Sequence, residues 1–301
     1  MRLSLEARCM CPGYHLWPPR GERPDDKPMQ AHETDAYILG TEDDEITRLR
    51  TQHVSWTRQQ LAILERAGIS DGQTIVDLGC GPGFTSFEIA EVVGPTGRVI
   101  ARDTSERFLA FLEAESVRRG ITCIETSLGP VEGLALDPAS LDGAYSRWLL
   151  SWLEDAAPLV HHISTALRPG GCFVLQEYID WGAMSAVPRI PAFDRAIEAC
   201  MAYWYASGQT INVAADLPRL AKSTGLTVEH MQPVARLGAI GSLEWRWVDE
   251  FLHIWLPKLV AAGAFAQADY DAWHDAWDAM VDKGIHRIFT PIVSDVVLRK
   301  V

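Results

Sequence analysis

The stretch that decides the fold, Thr74–Phe84, reads Thr-Ile-Val-Asp-Leu-Gly-Cys-Gly-Pro-Gly-Phe. Apolar residues on both sides of Asp77 predict a short buried strand. Three glycines then recur at every second position, and Phe84–Val93 continues with apolar residues at helical spacing. A strand, a glycine turn and a helix form the unit by which a doubly wound sheet brings a nucleotide-like ligand against its main chain.

The spacing of the glycines narrows the choice of ligand. Dinucleotide-binding loops read Gly-x-Gly-x-x-Gly, whereas here the third glycine comes one residue early and Asp77 precedes the first. A carboxylate beside the ligand would repel a diphosphate but suits a cationic sulfonium or ammonium group. The pattern therefore disfavours a nicotinamide-dependent oxidoreductase.

The run Asp77–Gly83 resembles motif I of the class I S-adenosylmethionine (SAM)-dependent methyltransferases. Residues 97–105 resemble the second strand of that family, which ends in the acid that binds both ribose hydroxyls. Asp103 lies twenty residues past Gly83, near the ~20-residue offset expected of a ribose-binding acid. The resemblance is strongest over residues 37–177, extends to the ubiquinone/menaquinone-type small-molecule enzymes, and implies SAM as the cofactor.

The resemblance implies an α/β, Rossmann-like sheet of seven strands with the last one antiparallel and helices on both faces. An N-terminal helical cap and a helical insertion before the last strand are expected additions. In the order that the resemblance implies, the later strands are expected at 121–128, 141–146, 167–181, 226–237 and 288–301. The predicted divisions are a flexible extension (1–30), a helical cap (31–70), the SAM-binding core (71–241), a substrate-side insertion (242–285) and the final strand (286–301).

Composition limits the possible partners. The formal net charge of −13 and the lack of a basic stretch argue against nucleic acid and anionic membrane surfaces. No apolar run approaches the ~20 residues of a membrane span, and the N-terminus lacks an apolar signal segment. The six cysteines are scattered without disulfide or zinc spacing. We therefore expect a cytoplasmic protein with reduced thiols and no metal, which acts on a small molecule and could form a homodimer.

The candidates for cofactor binding follow from the resemblance. An Asp that binds the adenine amino group in relatives is replaced here by Ser127 or, on another alignment, by Pro130. That departure leaves the main chain near Leu128 as the expected adenine contact. The full set of candidates is Tyr37, Gln52, Asp77, Gly79, Cys80, Gly81, Gly83, Asp103, Thr104, Ser127, Leu128, Ser146 and Arg147.

Catalysis by methyl transfer depends mainly on positioning, and a general base is needed only where the acceptor loses a proton. Glu177 at a strand end, His53 in the cap and His253 in the insertion are the candidate bases. A carboxylate paired with Arg147 or Arg189 is the structural alternative for Glu177, and a packing role is the alternative for each histidine. The candidates for substrate contact are Tyr37, Trp56, Trp148, Tyr178, Trp181 and Trp255. Five tryptophans lie late in the chain and form either core or an aromatic pocket: Trp245, Trp247, Trp255, Trp273 and Trp277.

These observations favour a SAM-dependent methyltransferase that acts on a small, apolar or aromatic acceptor, in specialised metabolism. Two alternatives keep the same fold. One uses the sulfonium as a fixed charge for non-methylating chemistry, and the other is a catalytically silent subunit that partners an active enzyme. Release of S-adenosylhomocysteine during turnover would separate the first interpretation from both alternatives.

Overall fold

The computed structural model describes residues 43–301, beginning with the long helix α1 (Asp43–Ala67). The predicted extension at 1–30, the first part of the predicted cap and Tyr37 lie outside the described residues. The strands that follow are β1 (Thr74–Leu78), β2 (Arg98–Asp103), β3 (Ile124–Leu128), β4 (Leu141–Arg147), β5 (Leu167–Asp180), β6 (Ser185–Val187), β7 (Leu226–Val234), β8 (Leu237–Ala239), β9 (Arg287–Phe289) and β10 (Ile292–Lys300). The further helices are α2 (Phe84–Val93), α3 (Glu106–Arg119), α4 (Ala157–Ala166), α5 (Pro191–Ala206), α6 (Leu217–Ser223), α7 (Leu243–Ala261) and α8 (Gln267–Lys283).

Seven strands form one sheet in the order β3–β2–β1–β4–β5–β10–β7. Strands β1 to β5 pair in parallel, and β10 is antiparallel to both of its neighbours. The predicted sheet with an antiparallel last strand is confirmed. The order reverses between β1 and β4, and in open α/β sheets a ligand binds at the carboxyl ends of the strands beside such a reversal.

Helices cover both faces because successive residues of a strand point to opposite sides. Ile75 packs with Leu64 of α1 and Ile89 of α2, whereas Val76 packs with Leu159 of α4 on the other face. The β1 strand is buried on both sides, as its nearly continuous apolar sequence predicts.

A second hydrophobic core joins α5, α7 and α8 to the three-stranded sheet β6–β9–β8. The two helices predicted within 242–284 are confirmed. All five late tryptophans, Trp245, Trp247, Trp255, Trp273 and Trp277, are buried, so packing accounts for this stripe.

Two of the predicted strands are each divided between the sheets. The run 226–237 ends as β7 at Val234, and Leu237 begins β8. The run 288–301 likewise splits into β9 and β10, with Pro291 between them. A proline has no N–H to donate to a ladder, so the chain leaves the small sheet there and enters the large one.

Candidate functional site

The loop between β1 and α2 exposes its main chain. Gly79, Gly81 and Gly83 have φ angles of 65°, 55° and 81°, in the left-handed region that favours glycine. A Cβ at Gly83 would lie 2.2 Å from Cδ1 of Leu112, so packing against α3 requires glycine there. A Cβ at Gly81 would meet no atom within 4 Å. Gly81 therefore presents bare main chain to open space.

Asp103 is held against this loop by main-chain hydrogen bonds. Its Oδ2 accepts the N–H of Gly81 at 2.8 Å, and its Oδ1 accepts the N–H of Ser105 at 2.8 Å. Burial raises the pKa of the carboxyl. A carboxylate has about four acceptor positions, so two remain for hydroxyl groups of a ligand. Thr104, the next residue, is exposed beside it.

Asp77 is buried under the loop, with 1% of its surface exposed. Its Oδ2 accepts the hydroxyls of Thr85 and Ser86, both at 2.6 Å. Burial raises the pKa of the carboxyl to about 6, although these hydrogen bonds oppose the rise. The side chain thus fixes the first turn of α2, a structural role that the sequence did not suggest. Cys80, next to Gly79 in the loop, is buried, and burial raises the pKa of its thiol.

His53 bridges α1, α2 and the end of β4. Arg147 Nη2 lies 3.3 Å from His53 Nδ1, and Glu88 Oε1 lies 3.4 Å from His53 Nε2. Because a guanidinium only donates, Nδ1 is the acceptor and Nε2 carries the proton that points to Glu88. Burial, first of several causes, lowers the pKa of the imidazole, which is therefore neutral. Gln52 lies one residue away, and its Oε1 accepts from Arg48 at 2.8 Å.

Glu177 lies fully buried near the end of β5. Its Oε1 accepts the N–H groups of Leu149 and Leu150, both at 2.9 Å, and its Oε2 is buried without a partner among the described residues. Arg147 donates to His53 and Arg189 to Asp194, so main-chain amides take the place of the arginine partners considered from the sequence. Burial raises the pKa of Glu177 to about 8.

An aromatic cluster, defined here as Trp56, Trp148, Tyr178 and Trp247, covers the ends of β4 and β5. The rings of Trp56 and Trp148, of Trp56 and Trp247, and of Trp148 and Trp247 all have centroids 5.4 Å apart. Tyr178 stacks on Trp148 at 5.9 Å. The cluster joins three predicted substrate residues to Trp247, which the sequence analysis had not placed in the site.

The remaining predicted substrate and base residues lie in the second core. Trp181 and Trp255 both pack against Trp204 of α5, with centroids 4.9 and 5.1 Å away. Nδ1 of His253 donates to Asp249, whose carbonyl oxygen lies 2.9 Å away and whose Oδ1 lies 3.1 Å away, and the ring contacts Trp273 of α8. The structure thus places His253 between α7 and α8.

Arg102, which sequence reasoning missed, occupies the edge beside β3. Its Nη1 donates to Ser127 Oγ and to the carbonyl of Leu128, both at 2.7 Å. A charged residue directly before Asp103, in an otherwise apolar strand, was the signal that could have revealed it. Ser146, at the end of β4, is fully buried, and its hydroxyl has no partner among the described residues.

Comparison with known proteins supports a family resemblance. Residues 76–175, about a third of the chain, match the family described as "Methyltransferase domain". This match supports the resemblance to the class I SAM-dependent methyltransferase superfamily. Demethylmenaquinone methyltransferase of Lactococcus lactis subsp. lactis (strain IL1403) is 30% identical over 147 residues, which are 49% of this chain and 54% of that protein. The chain spans about half or less of the length of the curated relatives that it matches.

Solved structures share the fold of this chain. A putative sarcosine dimethylglycine methyltransferase from Galdieria sulphuraria aligns with a TM-score of 0.54 at 12% identity, over 88% of this chain and 93% of that one. The [4+2]-cyclase SpnF aligns with a TM-score of 0.53 at 16% identity, over 81% and 80%. At such identities the likeness shows the fold alone.

Residues 43–301 hold no group of three or more His, Cys, Asp or Glu side chains that could bind a metal ion. No helix in the same range combines the length and the apolar character needed to cross a membrane.

Proposed function

We propose that this protein is a SAM-dependent methyltransferase that acts on a small organic acceptor. The proposal depends on one observation: the main chain of Gly81, which faces open space, lies beside the carboxylate of Asp103. Gly81 faces open space, and its N–H holds Asp103 with two acceptor positions free. This arrangement suits a nucleoside whose ribose hydroxyls donate to the acid.

The residues present fit SAM in this orientation. Asp103 would hold the ribose, and the loop Gly79–Gly83 would lie against the nucleoside. The methionine part would extend toward the β4 end, where Ser146 has a buried hydroxyl without a partner among the described residues, whereas Asp77 supports the loop from below. SAM supplies an electrophilic methyl carbon on a sulfonium; the chain's part is to position the acceptor in line with it and to exclude water.

The three candidate bases differ in what their surroundings allow. His53 already uses both ring nitrogens, and burial lowers its pKa, which favours a positioning role. His253 lies between two helices of the second core. Glu177 alone combines a strand-end position with an unpartnered buried oxygen, so we infer that any proton transfer by a side chain involves Glu177. Because its pKa is about 8, this carboxyl would accept a proton only in alkaline solution.

The acceptor is proposed to be apolar or aromatic and to belong to specialised metabolism. The support is the aromatic cluster near the ends of β4 and β5, in which Tyr178 is partly exposed over the buried rings of Trp148, Trp56 and Trp247. Trp56 belongs to the predicted cap and Trp247 to the predicted insertion. The cap at 31–70 and the insertion at 242–285 therefore share the proposed acceptor wall, and residues 71–241 hold the proposed SAM site.

The proposal is tested by binding and by transfer. Calorimetry with SAM and S-adenosylhomocysteine should give saturable binding that Asp103→Ala weakens by ~1–3 kcal/mol, because two hydroxyls lose a charged acceptor. Asp142→Ala is a matched control, since Asp142 accepts from Thr74 at the opposite ends of the strands. Equal affinities of the wild type and the Asp103 variant would reject the proposed ribose site.

Methyl transfer is followed with methyl-labelled SAM and fractionated metabolites. A labelled product formed together with S-adenosylhomocysteine supports the methyltransferase. The fold cannot make this distinction, because a [4+2]-cyclase shares it. A product formed without S-adenosylhomocysteine would indicate non-methylating chemistry, and SAM binding without any product would favour a silent partner subunit.

A further inference from the structure

The guanidinium of Arg102 lies at the edge of the proposed nucleoside site. The residue is 8% exposed, and it directly precedes Asp103 at the end of β2. Besides its bonds to Ser127 Oγ and the Leu128 carbonyl, it donates to the carbonyl of Pro130 from Nε at 3.2 Å and from Nη2 at 3.0 Å. Three oxygen acceptors of the loop after β3 thus already accept from one fixed cation.

The loop is closed tightly around this cation. Gly129 has a φ of +130°, and a Cβ at this position would come within 2.6 Å of Arg102 Nη2. Its N–H also donates to the carbonyl of Asp103 at 2.8 Å. The guanidinium, the loop and the ribose-binding candidate are therefore held as one unit.

The base of a nucleoside held by Asp103 would lie over this unit. Leu128 is the partner of Asp103 in the β2–β3 register, and its side chain is 55% exposed. A ligand that crosses the strand ends from Gly81 to Asp103 reaches β3 next. The exposed apolar side chain of Leu128 then offers a surface for a planar ring.

On the basis of the proposed function, we propose that Arg102 makes this subsite indifferent to the amino group at position 6 of the purine. Each of the oxygens of Ser127, Leu128 and Pro130 that could accept from an amino N–H already accepts at least one N–H of Arg102. The positive charge beside them opposes a further N–H donor. The base is thus recognised by shape and apolar contact, and a purine that lacks the amino group binds as well as adenine.

Glu132 is the alternative residue that could bind the amino group. It is the one acidic residue in the segment 127–133, and it lies exposed in the short 3-10 turn Val131–Gly133. If its carboxylate reached the amino group, the site would prefer adenine. The substitution Glu132→Gln removes this carboxylate.

The experiment compares S-adenosylhomocysteine with its analogue in which unsubstituted purine replaces adenine, so that only the 6-amino group differs, by calorimetry on the full chain. The wild type should bind both with dissociation constants within about threefold of each other. Arg102→Met releases the three loop oxygens and should shift the preference toward S-adenosylhomocysteine by about tenfold. Arg98→Met is the matched control: Arg98 also bridges β2 and β3, through Glu125, but at the other end of the strand. Its variant should leave the ratio unchanged.

The outcomes separate the inference from the proposed function. A wild-type preference for S-adenosylhomocysteine of more than tenfold overturns the inference, and loss of that preference in Glu132→Gln assigns the amino group to Glu132. An unchanged ratio in a folded Arg102→Met variant also overturns it. If that variant fails to fold, the wild-type ratio alone decides. Failure of the wild type to bind either compound overturns the proposed function together with the inference.

Discussion

Glutamine at position 177 should make the protein more stable than the wild type in neutral and alkaline solution. Glu177 is fully buried, with one oxygen on two main-chain amides and the other without a partner. A glutamine side chain keeps the carbonyl oxygen that accepts from Leu149 and Leu150. It has no carboxyl that ionises, so it stays neutral at every pH.

The sign of the effect follows from the two states of the wild type. Burial raises the pKa of Glu177 in the folded protein to about 8 from an ordinary value of 4.5. Between these values the folded state keeps the proton and the unfolded state has lost it, so the wild type loses stability as the pH rises. Below pH 4.5 both states are protonated and the effect disappears. Above pH 8 both are ionised and the full cost remains.

The size of the stability effect is set by the difference between the pKa values of Glu177 in the folded and unfolded states. They differ by about 3.5, and each pKa unit corresponds to about 1.4 kcal/mol, which gives an upper limit of about 5 kcal/mol. Relaxation around a buried charge reduces such values. We therefore expect the advantage of Glu177→Gln over the wild type in free energy of unfolding to grow by about 2–4 kcal/mol from pH 5 to pH 9.

Urea denaturation of both proteins at several pH values measures this difference. Glu229→Gln is an informative control, because Arg299 lowers the pKa of Glu229. That stabilisation is present above pH 4.5 and is lost as the pH falls, so the control trend is opposite in direction and below about 1 kcal/mol. If Glu177→Gln and the wild type differ by a constant amount from pH 5 to pH 9, the neutral state assigned to Glu177 is wrong.

Three further substitutions test the site. Gly81→Val should abolish SAM binding by calorimetry while costing only about 1–2 kcal/mol of stability, since open space surrounds the position but its φ is left-handed. Gly83→Ala should cost more, about 2–4 kcal/mol, because its Cβ would press on Leu112, and a smaller shift in chemical denaturation would contradict the packing seen here. Trp255→Ala should destabilise by about 3–5 kcal/mol and leave SAM affinity within about threefold; a collapse of SAM affinity in a folded variant would place Trp255 in the cofactor site.

The large sheet could be predicted because its information is local. The strands from β1 to β5 alternate with helices along the chain, and this order of units leaves few topologies. The small sheet was missed because its strands have three residues each, too few to show a period. Each divided run was interpreted as one strand, because only two residues separate β7 from β8 and two separate β9 from β10.

Part of the candidate site could also be proposed from the sequence. Gly81 and Asp103 could be singled out because they belong to one strand–helix–strand unit encoded within thirty residues, and the structure brings the two into contact. Arg102, the amide partners of Glu177 and the contact of Trp247 with Trp56 depend on segments that meet only in the folded protein. Long-range contacts of this kind leave no periodic trace.

Glu177 connects the strained part of the site to its aromatic wall. Trp148 has a φ of +53°, in a region that costs a residue with a side chain about 1–2 kcal/mol. The next two amides are those that Glu177 binds, so the buried carboxyl holds the turn in which the strain is stored. The same turn directs the Trp148 ring between Trp56 and Tyr178. The strained Trp148 main chain and the buried Glu177 carboxyl thus occur together where the proposed acceptor would meet the methyl group. Backbone strain that costs stability is typically kept in proteins at functional sites.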